Sequence, residues 1–529
     1  MVVIAMGQAL MSFNVAAIPV SMSGMVQSFG VPPTTVGTAV IMYSLGVSGF
    51  VLLGAKLGER FGSKIFFQAS VAMFFTALLI VVFSPSAKFL LIGQALAGLA
   101  GAALVPTLVV LIANHYHGAQ QASALGWLGS ARAMASVLAF FVIGSLERFV
   151  GWRWAFGLLL IHAAAILFLS YRLKPSRPRP EVKIDVVGVI LAASGIIALT
   201  FGVNNIRNWG LFMARPNAPF DILGISPAPL LLGLGVLVLS GFLAWTRKRE
   251  ADGKTPLFAL QVIESSKERA AVIAMFAIVA MEAALNFSVP LYIQIVQGRS
   301  AFDTAIAMMP FNLSVFFTAF LVVRLYGRFT PRQIARTAFV LSAIGGFWLS
   351  FVASNNWSSL PVMLGLVTFG IGQGALVTLL FNVLVTSSPK ELAADVGSLR
   401  GTTNNLAASV GTALMGALAV GLLSASVLRG VTADPILTPE LTSQLDLDSI
   451  NFLSNERLKE RLDETTATPE QIAAAVELNE TARLRALKIA FFVLGSVALL
   501  CILPSGRLPD YRPGEIPGDD EDSAKSSAS

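Results

Sequence analysis

Two charged side chains lie in the middle of long apolar segments. Arg132 lies within the segment 121–145, and Glu282 lies within the segment 270–294. A charge at the centre of a bilayer costs about 2.5–3.5 kcal/mol on insertion scales, so it persists where it faces a cavity or finds a partner. Three interpretations stay open. Glu282 exchanges a proton, since burial favours the neutral carboxyl; the two residues bind opposite ends of a polar substrate; or they form a structural ion pair.

Amide side chains in other apolar segments are candidates for lining the same cavity. Inside a membrane such an amide commonly forms a hydrogen bond between helices, so each is also a candidate packing contact. The candidates are Asn14, Gln94, Asn286 and Asn312.

No set of residues has the spacing of a metal site, a catalytic triad or a phosphate-binding loop. The chain has three histidines and one cysteine, and it lacks a Gly-x-x-x-x-Gly-Lys-Ser/Thr motif. We therefore expect no enzyme activity, no metal, no cofactor and no direct use of ATP.

A basic motif with two glycines follows the second apolar segment, and a related motif follows the tenth. A Glu–Arg pair beside glycines would let helix ends approach closely and lock by charge, which would bias one of two conformations. Alternatively, these basic residues only orient the chain in the membrane. The candidate gate residues are Gly54, Lys56, Glu59, Arg60, Gly62 and Lys64 in the first motif, and Arg324 and Arg328 in the second.

The composition indicates that lipid is the solvent for most of the surface. Of the 529 residues, 55% are hydrophobic and 13% are charged, whereas a soluble globular protein carries about 25% charge. The net charge of +7 comes from basic residues in short loops. Such residues set the orientation of a membrane protein, so we do not expect nucleic acid as a partner.

The positions of the functional candidates therefore depend on membrane-spanning helices. A span needs roughly 20 apolar residues, and that length predicts about fourteen of them. They lie near 2–24, 34–54, 64–84, 88–112, 121–145, 153–171, 184–204, 228–246, 270–294, 303–326, 334–353, 360–386, 399–428 and 486–505.

Lysine and arginine collect in alternate loops, which predicts the orientation. Lys56, Arg60 and Lys64 lie on one side, as do Arg324 and Arg328. The basic side of a membrane protein is cytoplasmic. We expect a multi-pass protein of the cell inner membrane with both termini in the cytoplasm, and an even number of spans agrees with this.

Two matching stretches indicate an internal repeat. The motif at 54–64 aligns with 322–332, and 98–105 aligns with 370–377, at nearly equal offsets. Two parallel repeats are a transporter architecture in which the substrate site lies between the halves near the midplane. The predicted organisation is a six-helix half (1–175), an inserted helix pair (176–265), a second six-helix half (266–508) with an extracytoplasmic loop (429–485), and a disordered cytoplasmic tail (509–529).

These features resemble the major facilitator superfamily, and within it the fourteen-span drug:proton antiporter group. The resemblance implies an all-α membrane fold with two six-helix halves and two inserted helices. It is carried by Gly54, Leu57, Arg60, Gly62 and Lys64, with Glu59 in place of the usual Asp; by Asp185, Gly188 and Trp209; by Gly151–Phe156; and by Tyr292–Gly298 with Pro310.

The sequence departs from the antiporter pattern at three places. Gln94 and Ala97 precede Gly98 where the family's fourth span has an Arg and a Gln. The span-five motif is degenerate at 139–144, and no acid precedes Pro19 in the first span. The usual buried arginine and first-span carboxylate of the coupling machinery are therefore missing.

We expect a secondary transporter that exports a small or amphipathic molecule by alternating access, as a monomer in the lipid bilayer. Protons are a further expected partner, through Glu282. The alternatives are a non-transporting membrane sensor or scaffold of the same fold, and an uncoupled facilitator.

Overall fold

The structure is a computed structural model. It describes residues 1–31, 33–116, 118–174, 178–215, 218–388, 390–433, 455–463 and 467–510. The predicted tail from 511 onward, and positions 434–454 and 464–466 of the predicted loop, lie outside the described residues.

Regular secondary structure in the described ranges is helical, apart from isolated β-bridges at 213–225. Short 3-10 or π segments occupy Leu260–Ile263, Tyr292–Val296, Val322–Gly327 and Lys390–Leu392. The α-helices are α1 (Val2–Val20), α2 (Met22–Phe29), α3 (Pro33–Phe61), α4 (Ser63–Val82), α5 (Ala87–His115), α6 (Gly118–Phe149), α7 (Trp152–Ser170), α8 (Val186–Trp209), α9 (Pro227–Ala251), α10 (Ser266–Leu291), α11 (Ala301–Leu321), α12 (Pro331–Val352), α13 (Leu360–Ser387), α14 (Ala393–Ala433), α15 (Asn455–Asp463), α16 (Pro469–Leu500) and α17 (Ile502–Ser505).

The helices account for the predicted number of spans. Within the described residues, 13 helices are long and apolar enough to cross a membrane. The remaining long helix is α14, whose residues 406–423 include no charged side chain. With α14 the count reaches the fourteen spans that the sequence predicts.

Three helices have limits that differ from those of the predicted spans. The first predicted span, 2–24, is interrupted at Ser21, shortly after Pro19 removes a backbone donor from α1. The thirteenth begins at Ala393 rather than 399, and the last belongs to a helix that begins at Pro469 rather than 486. A span predicted from hydropathy ends at the first polar residues, whereas an established helix extends through such residues at little cost in free energy.

Side-chain caps fix the starts of the helices that carry the candidate site in the second half. The Ser265 hydroxyl accepts from the Glu268 backbone N–H at 3.3 Å, and the Glu268 carboxylate accepts from the Ser265 N–H at 3.0 Å. Ser300 and Asp303 form the same capping box at the start of α11. Each box satisfies two backbone donors, so α10 and α11 begin at defined residues.

The repeat is visible in the packing of equivalent helices. A Cβ on Gly98 of α5 would lie 2.4 Å from the Tyr43 carbonyl oxygen of α3. A Cβ on Gly370 of α13 would lie 2.7 Å from the Phe311 carbonyl oxygen of α11. In both halves a matched glycine therefore lets the fourth span (α5 or α13) pack directly on the second span (α3 or α11).

The two halves meet closely at one end of the bundle. We call it the basic end, because Lys56, Arg60 and Lys64 lie there. A Cβ on Gly397 of α14 would lie 2.8 Å from Pro106 Cα of α5, and one on Gly126 of α6 would lie 3.0 Å from Val323 Cγ2. Helices of the first half thus pack tightly on helices of the second.

Helix α8 of the inserted pair contacts both halves, and α9 packs on α8. A Cβ on Gly49 of α3 would lie 2.9 Å from Ile197 Cδ1 of α8. Asn204 Nδ2, also of α8, donates to Ser409 Oγ of α14 at 3.4 Å. Asp185 caps α8 through the Gly188 N–H and also accepts from Trp245 Nε1 of α9. The pair therefore lies along the seam between α3 and α14.

Candidate functional site

An ion pair between Arg132 and Glu282 joins the two halves. Arg132 lies near the middle of α6 in the first half, and Glu282 lies in the second part of α10 in the second half. Arg132 Nη2 lies 2.5 Å from Glu282 Oε2, and the side chains are 23% and 15% exposed. Pairing lowers the cost of placing each charge inside the membrane. A proton or a charged ligand can change this ion pair.

Arg400 is a third charged residue of this region. It is 5% exposed on α14, and its guanidinium lies 4.1 Å from the centroid of the Phe381 ring on α13. Arg132 is near enough for the two like charges to repel. Among the described residues no carboxylate lies within ion-pair distance of Arg400.

Sequence reasoning missed Arg400 because of a boundary. The predicted thirteenth span begins at 399, which put Arg400 at its edge. Since α14 begins at Ala393, Arg400 lies about two turns inside the helix. In the sequence, Arg400 is followed by a long uncharged segment. This pattern indicates a charge inside a span only when the start of α14 is known.

Asn14 and Gln94 bind each other. Asn14 Nδ2 donates to Gln94 Oε1 at 2.9 Å, and Gln94 Nε2 donates to Asn14 Oδ1 at 3.2 Å. Both side chains are fully buried. This reciprocal amide pair joins α1 to α5, so the two residues act within the first half.

The other two predicted amides differ from each other. Asn286 is exposed and lies one turn beyond Glu282 on the same face of α10, on the side away from the basic end. Asn312 is 8% exposed and donates to the Met308 carbonyl of its own helix at 3.1 Å. Of the two amides, Asn286 has an accessible side chain and lies beside the ion pair.

Several buried polar atoms have no hydrogen-bond partner among the described residues. Both polar atoms of the Gln373 side chain on α13 are in this state, as are Asn382 Oδ1 and Asn404 Oδ1. Asn404 lies one turn from Arg400 on the same face of α14. Buried polar groups are normally paired, so exceptions point to functional regions.

A second connection between the halves lies at the basic end. Lys56 Nζ of α3 lies 3.0 Å from Asp395 Oδ2 of α14 and 3.4 Å from Glu59 Oε2. Lys56 is 5% exposed and Asp395 is fully buried. Sequence reasoning missed Asp395, which precedes the predicted span.

Glu59 and Arg60 of the first motif contact different partners. Neighbouring residues of a helix point in different directions, whereas residues three apart share a face. Glu59 therefore pairs with Lys56, and the Arg60 guanidinium lies 5.9 Å from the Phe61 ring centroid.

The other residues of the first motif shape the ends of helices. A Cβ on Gly54 would lie 2.4 Å from the Ala102 carbonyl oxygen, so this position packs α3 on α5. Gly62 has φ +89° immediately before α4, which favours glycine. Lys64 Nζ donates to the Tyr171 carbonyl at 2.8 Å and ties α4 to the end of α7.

The second motif does not repeat the arrangement of the first. Arg324 and Arg328 are exposed, and neither forms an ion pair with a described residue. At the repeat offset Arg324 stands for Lys56, but Gly327 stands for Glu59, so the second motif lacks the acid that pairs with the basic residue in the first.

Comparisons with known proteins agree with this architecture. The methylenomycin A resistance protein of Bacillus subtilis is 22% identical over 419 residues, which are 79% of this chain and 86% of that protein. The "Probable actinorhodin transporter" of Streptomyces coelicolor is 25% identical over 402 residues, which are 74% of this chain and 66% of that protein.

Solved structures share the fold at low identity. The crystal structure of the human organic anion transporter MFSD10 matches with a TM-score of 0.56 at 13% identity, over 95% of this chain and 98% of that one. The proton:xylose symporter XylE matches with a TM-score of 0.55 at 12% identity, over 97% of this chain and 96% of that one.

The family follows from a match that covers most of the sequence. The model of the "Major Facilitator Superfamily" matches residues 4–412. Proteins of this family are membrane transporters and not enzymes. This chain therefore belongs to the major facilitator superfamily.

Proposed function

We propose that the chain is a secondary active transporter that exports a small or amphipathic molecule by alternating access. In this proposal it works as a monomer in the inner membrane, with both termini in the cytoplasm. Protons drive the cycle through Glu282, and the substrate binds between the halves beside Arg132.

The observation that carries the proposal is the ion pair between α6 and α10. Alternating access requires the two halves to move against each other around a central site. A ligand shifts such an equilibrium only through contacts that differ between the two states. Protonation of Glu282 removes its attraction for Arg132, and a charged substrate competes for the same groups, so both would act directly on a contact between the halves.

The charged surroundings set the direction of the proton effect. Glu282 pairs with Arg132. Arg400 lies on α14, which packs on α10, and is near enough to Arg132 for the two like charges to repel. Protonated Glu282 would leave two positive groups facing each other between the halves. Lowering the pH on the accessible side would therefore favour separation of α6 from α10.

The connection at the basic end supports a gate. The basic end is cytoplasmic by the distribution of Lys and Arg. Lys56 and Asp395 are both buried and belong to different halves, so their ion pair must break when the protein opens to the cytoplasm. We infer that this pair stabilises the state that is closed to the cytoplasm.

The export direction rests on the relatives. The methylenomycin A resistance protein and the "Probable actinorhodin transporter" carry names that associate them with antibiotics. Resistance to a toxic compound is most directly obtained by moving it out of the cell, and we extend that direction to this chain.

The proposal is tested with the purified full-length chain in liposomes. The probes are ethidium, a cation, and naphthalene-2-sulfonate, an anion, each followed by fluorescence with and without an imposed pH gradient. We expect at least one probe to cross faster than in protein-free liposomes, and its rate to rise with the gradient.

Two other outcomes would contradict the proposal. Flux that is faster than in protein-free liposomes but independent of the gradient would identify an uncoupled facilitator. Flux of both probes equal to that in protein-free liposomes would favour a sensor or scaffold.

A further inference from the structure

The charges of the three charged side chains in the central region leave a net positive charge. Arg132 and Glu282 form an ion pair, and Arg400 remains with a positive charge and no carboxylate partner among the described residues. Arg400 is 5% exposed. A buried charge without a counter-ion is strongly unfavourable, so a protein retains one where a ligand supplies the opposite charge.

Within the described part of the chain, the Arg400 guanidinium contacts the Phe381 ring and donates no hydrogen bond. The guanidinium carbon lies 4.1 Å from the ring centroid, so the ring occupies one face of the planar group. The five N–H donors lie in the plane of the guanidinium and point away from that face. Two of them match the geometry of a carboxylate or sulfonate.

Two further polar side chains lie close to Arg400 or Phe381 along the same helices. Asn404 is one helical turn away on the same face of α14, and its Oδ1 has no partner among the described residues. On α13, Asn382 follows Phe381, and its Oδ1 is also buried without a described partner. These acceptors would suit a donor group on a bound molecule better than a packed apolar contact.

We propose that Arg400 is the anion-binding residue of the transport site, and that the transported molecules are organic anions with a flat apolar or aromatic body. The Arg400–Phe381 stack binds the acidic group and the adjoining ring system, close to the Arg132–Glu282 pair. The proposal rests on the proposed transport function and specifies its substrate class.

The test uses three probes with one aromatic body and different charges. They are naphthalene-2-sulfonate, naphthalene-2-sulfonamide and 2-naphthyltrimethylammonium, and their binding to the purified full-length chain is measured by isothermal titration calorimetry. We expect the sulfonate to bind at least about tenfold more tightly than the sulfonamide, and the ammonium ion most weakly. Arg400→Gln should reduce the preference for the sulfonate to about twofold or less.

Arg247→Gln is the matched control. Arg247 is an exposed arginine on the inserted helix α9, so its loss should leave the preference for the sulfonate intact. The same purification of both variants makes the comparison independent of detergent and lipid content.

Thermal unfolding separates ligand binding from a structural role. Without ligand, Arg400→Gln should unfold at the same or a higher temperature than the natural chain, because it removes an unpaired buried charge. Naphthalene-2-sulfonate should raise the unfolding temperature of the natural chain and not that of Arg400→Gln.

The proposal is overturned if the sulfonate does not bind, if all three probes bind equally, or if Arg400→Gln keeps the preference. Lower thermal stability of Arg400→Gln with an unchanged preference would assign Arg400 to packing. Liposome flux without anion preference contradicts only the substrate class. Anion preference without flux contradicts the transport function and leaves the anion site.

Discussion

Buried polar side chains in this protein divide into pairs that satisfy each other and residues with an unused atom. Asn14 and Gln94 exchange two hydrogen bonds and are fully buried. Gln373, by contrast, has no partner for either polar atom among the described residues. The first kind of residue holds helices together, and the second kind marks the region where a ligand would complete the hydrogen bonding.

The amide pair can be tested by a double-mutant cycle. Gln94→Leu should lower the stability of the protein by about 1 kcal/mol, because Asn14 is left unpaired inside the first half. Asn14→Leu/Gln94→Leu should recover most of that loss. The measurement is thermal unfolding of the purified variants; strictly additive effects would show that the two amides do not act as a pair.

The chemistry of single residues was only partly predictable from sequence. A charge inside an apolar segment is visible from composition, so Arg132 and Glu282 could be found. Their mutual pairing depends on the approach of α6 to α10, which sequence spacing does not encode. Arg400 and Asp395 were missed because both lie close to a helix limit that hydropathy placed too late.

At the scale of elements, α14 connects the basic end with the central region. It carries Asp395 of the Lys56 ion pair, Gly397 at the close approach to α5, and Arg400. These three residues lie within two turns of one helix, so a movement of α14 that breaks the ion pair also displaces Arg400. One rigid helix therefore provides a physical link between gate and site.

Loss of the Lys56–Asp395 pair should open the basic end. We expect Lys56→Gln to add a population with a longer distance between spin labels at Ile65→Cys and Phe329→Cys, because Asp395 loses its counter-ion. Both label sites are exposed, at 64% and 46%, and the background is Cys501→Ser. Double electron–electron resonance gives the distances.

The control for this variant is Arg172→Gln, an exposed basic residue outside the motif. It should leave the distance distribution unchanged. If Lys56→Gln also leaves the distribution unchanged, the ion pair does not stabilise the closed state.

The glycine of α14 should act at the same end by a steric effect. A Cβ at Gly397 would lie 2.8 Å from Pro106 Cα, a backbone atom that cannot move away cheaply. We expect Gly397→Ala to disfavour closure and to increase the long-distance population, as Lys56→Gln does. Gly157→Ala in α7 is the matched control, because nothing lies within 4 Å of its Cβ; an equal effect of the two variants would contradict this prediction.

The elements themselves were largely predictable. Fourteen apolar segments, the repeat and the inserted pair follow from hydropathy and alignment of the chain with itself. Helix ends were less predictable, because capping and helix propagation act over residues that hydropathy treats as loop. The start of α16 is an exception: the pattern Thr468-Pro469-Glu470-Gln471 predicts a capped helix start, and Thr468 and Gln471 form that capping box.

At the scale of the whole molecule, two ion pairs among the described residues join the two repeated halves. One pair, Lys56–Asp395, lies at the basic end, and the other, Arg132–Glu282, lies near the centre. The inserted helix α8 contacts both halves along the seam between α3 and α14. Any movement of one half on the other has to break or rearrange these connections, so they are where a proton or a substrate can bias the cycle.

Proton coupling through Glu282 is tested by the pH dependence of flux through the Glu282→Gln variant. The variant removes the titratable group and keeps its size, and Glu264→Gln, an exposed acid outside the spans, is the control. Rates of naphthalene-2-sulfonate movement in liposomes are followed across a range of pH, with thermal unfolding as the check on folding. We expect Glu282→Gln to fold but to lose gradient-driven flux and its pH dependence, while Glu264→Gln keeps both. Full pH dependence in Glu282→Gln would show that Glu282 does not couple transport to protons.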